Sequence, residues 1–341
     1  MIEVLSGGAL NTVQDLGRYG YRKIGVTVAG AMDRLALAAG NLLLGNAVDC
    51  AGIEVTMFPF RVRFQTDATI AITGADCAAE LDGRPLLPWW SASVRRSQVL
   101  SLSMPERGCR AYLLVRGGVD VPLVLHSRST DLKSKFGGHE GRSLKRGDRL
   151  ALLPVDGKSG PDAVKGGYGV EPPQLALPLG GSVQGTVAVR VLPGAEYEIF
   201  PQAGREQFWN GRWLLTPNSN RQGYRLAGPA LPMSGQSELL SHGLVPGTIQ
   251  VPPSGQPIIQ MSDANTSGGY PKIGTVIEAD MWRLAQARVA DELHFVQTTV
   301  AEAVAALAAE RAWLRKIETG VAALSAGGRA KRTAPAPASR N

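Results

Sequence analysis

Gly20-Tyr21-Arg22-Lys23-Ile24-Gly25 returns later in the chain as Gly269-Tyr270-Pro271-Lys272-Ile273-Gly274. The match continues without a gap and sets Met32, Arg34, Leu35 and Ala36 opposite Met281, Arg283, Leu284 and Ala285. Nine of the seventeen positions from Gly20 to Ala36 are identical to their partners. The offset is 249 residues, and two tandem units of that length do not fit in 341. A simple head-to-tail duplication is therefore excluded. The repeat implies two related halves in permuted or interlocked order, with the N-terminal segment close to the C-terminal half. The competing reading is a chance likeness between two Gly-rich strand ends. A Lys between glycines, on a turn before an apolar segment, suits an anion, and Lys23 and Lys272 would then converge on one crevice from opposite ends of the chain.

The surroundings of both copies are rich in strand and turn signals. The chain has 41 Gly and 22 Pro, and β-rich runs over residues 61–64, 68–73, 98–102, 111–115, 187–192, 213–215, 247–251, 258–261, 274–277 and 292–296. Turns such as Asp82-Gly83 and Arg146-Gly147-Asp148 separate them. Two helices stand out: residues 31–44, stopped by Gly45-Asn46, and residues 300–317, rich in Ala, Leu, Glu and Arg. The expected fold is mainly β with a few helices, in two pseudo-repeated, barrel-like or sandwich-like halves followed by a C-terminal helix. Residues 1–180 form the first half and 181–298 the second, joined by a Gly/Pro/Lys-rich linker over 156–184; residues 299–341 carry the helix and a disordered basic tail.

Composition excludes several classes. A hydrophobic content of 44% with mean hydropathy −0.03 is that of a soluble protein. No apolar run approaches the roughly 20 residues needed to cross a bilayer, and Met1-Ile2-Glu3-Val4 has no signal-peptide character, so the cytoplasm is expected. Cys50, Cys77 and Cys109 are odd in number and widely spaced, which suits reduced thiols. Cys and His show no zinc-ligand spacing, so no metal is expected. The net charge of +7 includes Arg329, Lys331, Arg332 and Arg340 in the tail, leaving +3 for the body, so nucleic acid is not an expected partner. Gly157-Lys158-Ser159 fails as a phosphate loop because residue 152 is Leu, and fails as a nucleophile elbow because residue 161 is Pro.

The remaining chemistry lies in four polar loops. The first carries Asp15, Arg18 and Lys23. The second runs from Arg128-Ser129-Thr130-Asp131 to Gly137-Gly138-His139-Glu140-Gly141-Arg142. The third holds Asn220 and Arg221. The fourth is Ser262-Asp263-Ala264-Asn265-Thr266-Ser267-Gly268-Gly269-Tyr270-Pro271-Lys272. In the fourth, Gly268 and Gly269 allow close backbone approach to a ligand, Pro271 holds Tyr270 extended, and Lys272 projects from a defined place toward an oxyanion. The alternative is a turn with a solvated Lys. Asp263 is a candidate proton handler. His139 is either a general acid–base or a loop-packing residue. Arg128 and Arg221 either clamp a carboxylate or bind loop carbonyls. His242 and His294 read as ordinary structural or surface residues.

These loops resemble the biotin-dependent carboxyltransferase subunit family, also described as allophanate hydrolase subunit 2 or KipA-like. The matching stretches are Thr12-Val13-Gln14-Asp15-Leu16-Gly17-Arg18, Gly30-Ala31-Met32-Asp33, Ser127-Arg128-Ser129-Thr130-Asp131-Leu132, Phe136 to Arg142, Ser219 to Leu226 and Gly268 to Ile273. The resemblance implies cyclophilin-like β-barrel architecture. It further implies partnership with a smaller KipI-like subunit and, as in the prokaryotic 5-oxoprolinase members, with a LamB/YcsF-like subunit, with ATP driving the opening of 5-oxoproline to glutamate. Such a chain would be inactive alone. Its other members imply either transfer of a carboxyl group to urea from biotin carried on another chain, or a non-catalytic KipA-like regulatory role. Carried over, Asp15, Arg18, Lys23, Arg128, Asn220, Arg221, Gly268, Gly269 and Tyr270 would bind substrate, while Lys272, Asp263 and His139 would be catalytic. One departure stands out: Asp263-Ala264-Asn265-Thr266-Ser267 replaces an Asp followed by Arg, Gln and two Thr, so a basic residue expected near the substrate is missing.

Overall fold

A computed structural model describes residues 1–155, 167–179, 186–233 and 239–333, the side chains of 327–333 excepted. Strands Ile2–Ser6, Phe60–Phe64 and Val99–Leu102 form the middle of a seven-stranded sheet. Thr12–Gln14, Gly52–Val55, Ala111–Val115, Ala68–Gly74 and Trp90–Val94 form, in that order, a five-stranded sheet. Period-two alternation sets the first sheet's inner face: Phe60, Val62 and Phe64 are buried while Arg61 and Arg63 point away. Those side chains meet Ile53, Val55, Ile70, Ile72, Leu113 and Val115 of the second sheet in one core. The first half is thus a sandwich.

The five-stranded sheet is covered on both faces, which is why every residue of Ala111–Val115 is buried. On its far side Tyr112, Leu114 and Ala71 pack against the helix Arg34–Leu43 and the long C-terminal helix Val300–Thr333. Asp33 caps the first of these helices by accepting a hydrogen bond from the Ala36 N–H at 2.8 Å. The C-terminal helix is anchored by Trp313, Ile317 and Val321, with Trp313 edge-on to Trp89 at 6.1 Å. It runs to Thr333 and so includes part of the stretch expected to be a disordered tail; residues 334–341 lie outside the described residues.

The second half is a closed barrel. Its strands run in the order Thr186–Pro193, Lys272–Val276, Thr248–Gln250, Ile258–Gln260, Gly223–Ala227, Trp213–Leu215 and Glu292–Gln297. Glu292–Gln297 closes the ring by pairing in parallel with Thr186–Pro193. Val189, Val191, Phe208, Trp213, Ile249, Ile259, Ile273, Leu293 and Phe295 fill it, and Met32 of the first half joins the same core. Of the expected linker, residues 156–166 and 180–184 lie outside the described residues. The part between them is docked: the Tyr168 hydroxyl donates to the Leu43 carbonyl at 2.7 Å, and Tyr168, Val170 and Leu177 pack beside the C-terminal helix.

The two copies of the repeated motif have different fates. Gly20 to Gly25 forms a surface turn with a short 3-10 segment, Arg22–Ile24, ended by Gly25 at φ 84°. Lys272–Val276 is instead a barrel strand paired on both sides, with Thr186–Pro193 and Thr248–Gln250. Identical residues extend only where neighbouring strands satisfy their backbone groups. Downstream the copies converge again, each leading into a helix, Arg34–Leu43 and Met281–Ala285. No strand is exchanged between sandwich and barrel among the described residues; the halves interlock through side chains.

Candidate functional site

The polar loops of the two halves face each other across a seam. At its centre Arg221 is buried and fully engaged. Its Nε and Nη2 donate to Asp263 Oδ2 and Oδ1 at 2.9 Å each, its Nη1 donates to Glu54 Oε1 at 2.5 Å, and its Nη2 also donates to the Gly30 carbonyl at 2.5 Å. Burial works against the guanidinium's charge, but the Asp263 and Glu54 carboxylates outweigh it and hold the cation above its ordinary pKa. Burial raises the Asp263 carboxyl, and Arg221 opposes that rise.

Glu54 carries the network into the sandwich. Its Oε2 accepts from the Met32 N–H at 2.8 Å and the Tyr112 hydroxyl at 2.7 Å, and the Tyr112 oxygen accepts from the Asp33 N–H at 2.8 Å. The Gln286 side chain closes the circuit: its Nε2 donates to Asp33 Oδ2 at 2.7 Å and its Oε1 accepts from the Cys109 and Arg110 N–H groups. Arg110 Nη1 then reaches the Tyr224 hydroxyl at 2.9 Å in the barrel. The Asp33 carboxyl is pushed up to about 6 by burial, against the hydrogen bonds from Gln286 and Ala36. Glu54, Tyr112 and Gln286 are residues that motif reading missed, and Asp33 stands in a matching stretch without a role. The one available signal was Glu54 itself, an acid inside the apolar run Gly52-Ile53-Glu54-Val55, because a buried acid requires a partner.

The first two loops brace this seam. The Asp15 carboxylate accepts from the Gly17 N–H at 2.7 Å, the Ser127 hydroxyl at 2.7 Å, the Arg128 N–H at 2.5 Å and the Ser129 hydroxyl, and so pins one loop to the other. Arg18 is wholly buried, lies 4.6 Å over the Phe136 ring and donates to the Ser129 carbonyl at 2.5 Å. Burial lowers its pKa against the raising fields of Asp15, Asp131 and Asp263. Arg128 donates from Nε to the Val121 carbonyl at 3.1 Å. His139 Nε2 stands 3.5 Å from Asp148 Oδ1, an acid that Arg142 also holds. The Asn220 side chain accepts from the Gln222 and Gly223 N–H groups and shapes the turn beside Arg221.

The fourth loop is held from the first half by two cations. Lys133 Nζ donates to Asn265 Oδ1 at 3.1 Å, and the Arg22 guanidinium reaches the Leu244 carbonyl and, at 3.4 Å, the Asn265 carbonyl. From the first copy of the motif it is therefore Arg22 that reaches the second half. Lys23 is exposed on the turn. Gly268 and Gly269 accommodate chain rather than ligand: a Cβ on Gly269 would stand 2.4 Å from the Leu239 carbonyl oxygen, and one on Gly268 would stand 2.9 Å from Leu244 Cδ1 and Gln250 Nε2. Tyr270 is exposed, and its carbonyl accepts from Gln250 Nε2 at 3.3 Å.

Lys272 differs from Lys23 in every respect. Only 7% of it is exposed, and its Nζ meets His242 Nε2 and lies 4.0 Å from Glu196 Oε2. Burial lowers its pKa, opposed by Glu196. The fourth loop thus joins two chemically distinct clusters. The Arg221 cluster has both Asp263 oxygens and three guanidinium nitrogens occupied, and it locks the halves in place. The Lys272 cluster holds a desolvated amine next to a half-exposed imidazole and can exchange protons. Among the described residues no His/Cys/Asp/Glu grouping is placed to hold a metal, and no helix is long and apolar enough to cross a membrane. A groove of about 690 Å³ lies elsewhere, between the docked linker and the C-terminal helix, lined by Tyr168, Leu177, Trp313, Ile317 and Val321. Its lining is mainly apolar but includes Glu171 and Lys316.

Comparison with known proteins agrees with this two-part construction. The chain is 45% identical over 306 residues to the C subunit of 5-oxoprolinase from Escherichia coli (strain K12), covering 90% of this chain and 94% of that one. It is 41% identical to the corresponding C subunit from Haemophilus influenzae, covering 89% and 93%. The crystal structure of the Kluyveromyces lactis urea carboxylase superposes with a TM-score of 0.84 at 29% identity, over 94% of this chain but only 29% of that much longer one. Residues 24–297, which take in the second sandwich loop and the whole barrel, match the carboxyltransferase domain, subdomain A and B, and the chain belongs to that family.

Proposed function

We infer that this chain is one subunit of an ATP-dependent 5-oxoprolinase that opens 5-oxoproline to glutamate, working with a KipI-like subunit and a LamB/YcsF-like subunit in the cytoplasm. One observation carries this reading: the near end-to-end match, at 45% identity, to a relative that bears that name. ATP is a substrate of the assembled enzyme, and what this chain supplies is electrostatic. Lys272 stabilises negative charge that develops on a carboxylate, a phosphorylated intermediate or an oxyanion, at a point where desolvation strengthens its field. Arg221, Asp263 and Glu54 keep the loop bearing it in register with the sandwich. Arg18 and Asp15 hold the neighbouring loop, and Asp263, already bidentate to Arg221, acts mainly through that arginine.

The test is reconstitution. The purified chain is mixed with its KipI-like and LamB/YcsF-like partners, and ATP-dependent glutamate release from 5-oxoproline is measured. Activity of the three together, absent from each alone and lost in Lys272→Ala, is the expected result. Full activity of Lys272→Ala would remove the assignment of Lys272, and no activity of the wild-type mixture would remove the substrate.

The superposition on urea carboxylase favours a second reading, in which the chain accepts a carboxyl group from biotin carried on another chain. Transfer of labelled carboxylate from a biotinylated carrier to urea, with no turnover of 5-oxoproline, would select it.

A further inference from the structure

Lys272, His242 and Glu196 come from three separate segments: a barrel strand, the short strand His242–Gly243, and the turn before Tyr197–Ile199. His242 Nδ1 lies 3.0 Å from the Leu240 carbonyl oxygen. A carbonyl can only accept, so in the neutral ring Nδ1 carries the hydrogen and Nε2 presents its lone pair. That lone pair meets Lys272 Nζ. Glu196 completes the arrangement: its Oε1 stands 3.3 Å from the same Nε2, while its Oε2 accepts from the Lys272 backbone N–H at 3.0 Å and lies 4.0 Å from Nζ. Among the described residues, Glu196 and His242 are the charged or titratable groups facing Nζ from the elements packed on it. The side chain of Lys272 is 9% exposed and that of His242 is 42% exposed, so the pair joins an interior amine to solvent.

We propose that His242 is a positioning residue that takes the Nζ proton of Lys272 and passes it to solvent, with Glu196 stabilising the imidazolium. In the first step an Nζ–H bond breaks, its electron pair stays on Nζ, and the proton binds Nε2. The imidazolium then donates Nε2–H to Glu196 Oε1, and water at the exposed ring edge removes the proton. Nothing is oxidised or reduced, and the reverse sequence reloads Lys272. The bearing of this path on turnover rests on the role of Lys272 proposed above, whereas the path itself does not. It restores Lys272 to the ammonium form that stabilises developing negative charge.

Cyanate tests the path without any turnover, because it adds only to neutral amines and is small enough to reach Nζ. Its rate at Lys272 is measured by peptide mass spectrometry between pH 6 and 9 on the whole chain, with exposed Lys23 as the internal reference. In His242→Gln the side-chain oxygen still accepts a hydrogen bond but cannot bind a proton. The Lys272 rate relative to Lys23 is expected to fall about tenfold, below the usual range for loss of a general base because the reagent is itself reactive. Glu196→Gln, which keeps the hydrogen bonds but not the charge, lowers the Lys272 rate less than His242→Gln does. An unchanged Lys272 rate in His242→Gln, or a fall in Glu196→Gln as large as that in His242→Gln, would overturn the proposal. Absence of ATP-dependent turnover in the wild-type reconstituted complex would sink the 5-oxoprolinase reading and leave the cyanate result standing.

Discussion

Arg221 closes on Asp263 with two hydrogen bonds of 2.9 Å and on Glu54, 167 residues away in the chain, at 2.5 Å. One guanidinium thereby ties barrel to sandwich, and its removal leaves two buried carboxylates without their hydrogen-bonded cation. Arg221→Met is expected to cost about 3–5 kcal/mol in urea unfolding, the range for breaking a buried ion pair from one side. Arg221→Lys keeps the charge but not the fork and should lose less. The Met deficit should shrink as pH falls, since an uncompensated buried carboxylate takes up a proton. A deficit independent of pH would place the loss in packing instead.

Much of the scaffold was legible in the sequence. The runs read as strands at 61–64, 68–73 and 111–115 are strands because alternation and β-branching are local signals. The helix expected over 31–44 is Arg34–Leu43, fixed by its Asp33 cap. The seam was legible only in part: Arg221 and Asp263 stood out as candidates, but Glu54, Tyr112 and Gln286 join their network only when the sandwich packs on the barrel. The repeat misled in one respect and informed in another. Its turn in the first copy and strand in the second show that a shared string does not dictate conformation, yet the first copy, through Arg22, reaches the loop that leads into the second, at Asn265. His242 read as an ordinary residue because its partners Lys272 and Glu196 stand 30 and 46 positions away.

Glu310 of the C-terminal helix is raised to about 7 by burial first and then by the like charges of Glu278 and Asp33. A carboxyl whose folded value exceeds its unfolded value of 4.5 favours the folded state when protonated. Its contribution is complete below pH 4.5 and lost as pH rises through 7. Glu310→Gln should therefore be more stable than wild type at pH 8, by about 2 kcal/mol after screening. The two should converge below pH 4.5. Thermal melts of both proteins across that window measure the difference, and a gap that persists in acid would refute the linkage.

Trp313 anchors the same helix through Trp89, Ile317 and Val321. Trp313→Ala removes the largest of these side chains at a site only 7% exposed, and about 3–5 kcal/mol should be lost if the helix stays docked. If the helix detaches, limited proteolysis should cleave it away while the barrel, which has a separate core, stays resistant. Cleavage inside the barrel at the same rate would mean that helix and barrel unfold as one unit.

Lys272 links stability to function with opposite signs. Burial lowers its pKa below the unfolded value, so its ammonium form weakens the fold at neutral pH. That penalty fades as pH rises through the folded value and is gone above the unfolded value of 10.5. Lys272→Met keeps the stem's length and removes the charge, so the variant should be the more stable protein at pH 7, with the advantage vanishing near pH 10.5. The same substitution should abolish turnover in the reconstituted complex without weakening assembly, because the Nζ partners Glu196 and His242 belong to this chain. Denaturant melts at pH 7 and pH 10.5 alongside the complex assay decide the matter. A destabilised Lys272→Met would show that its contact with His242 outweighs the cost of burying the amine, and that the lysine is there for the fold.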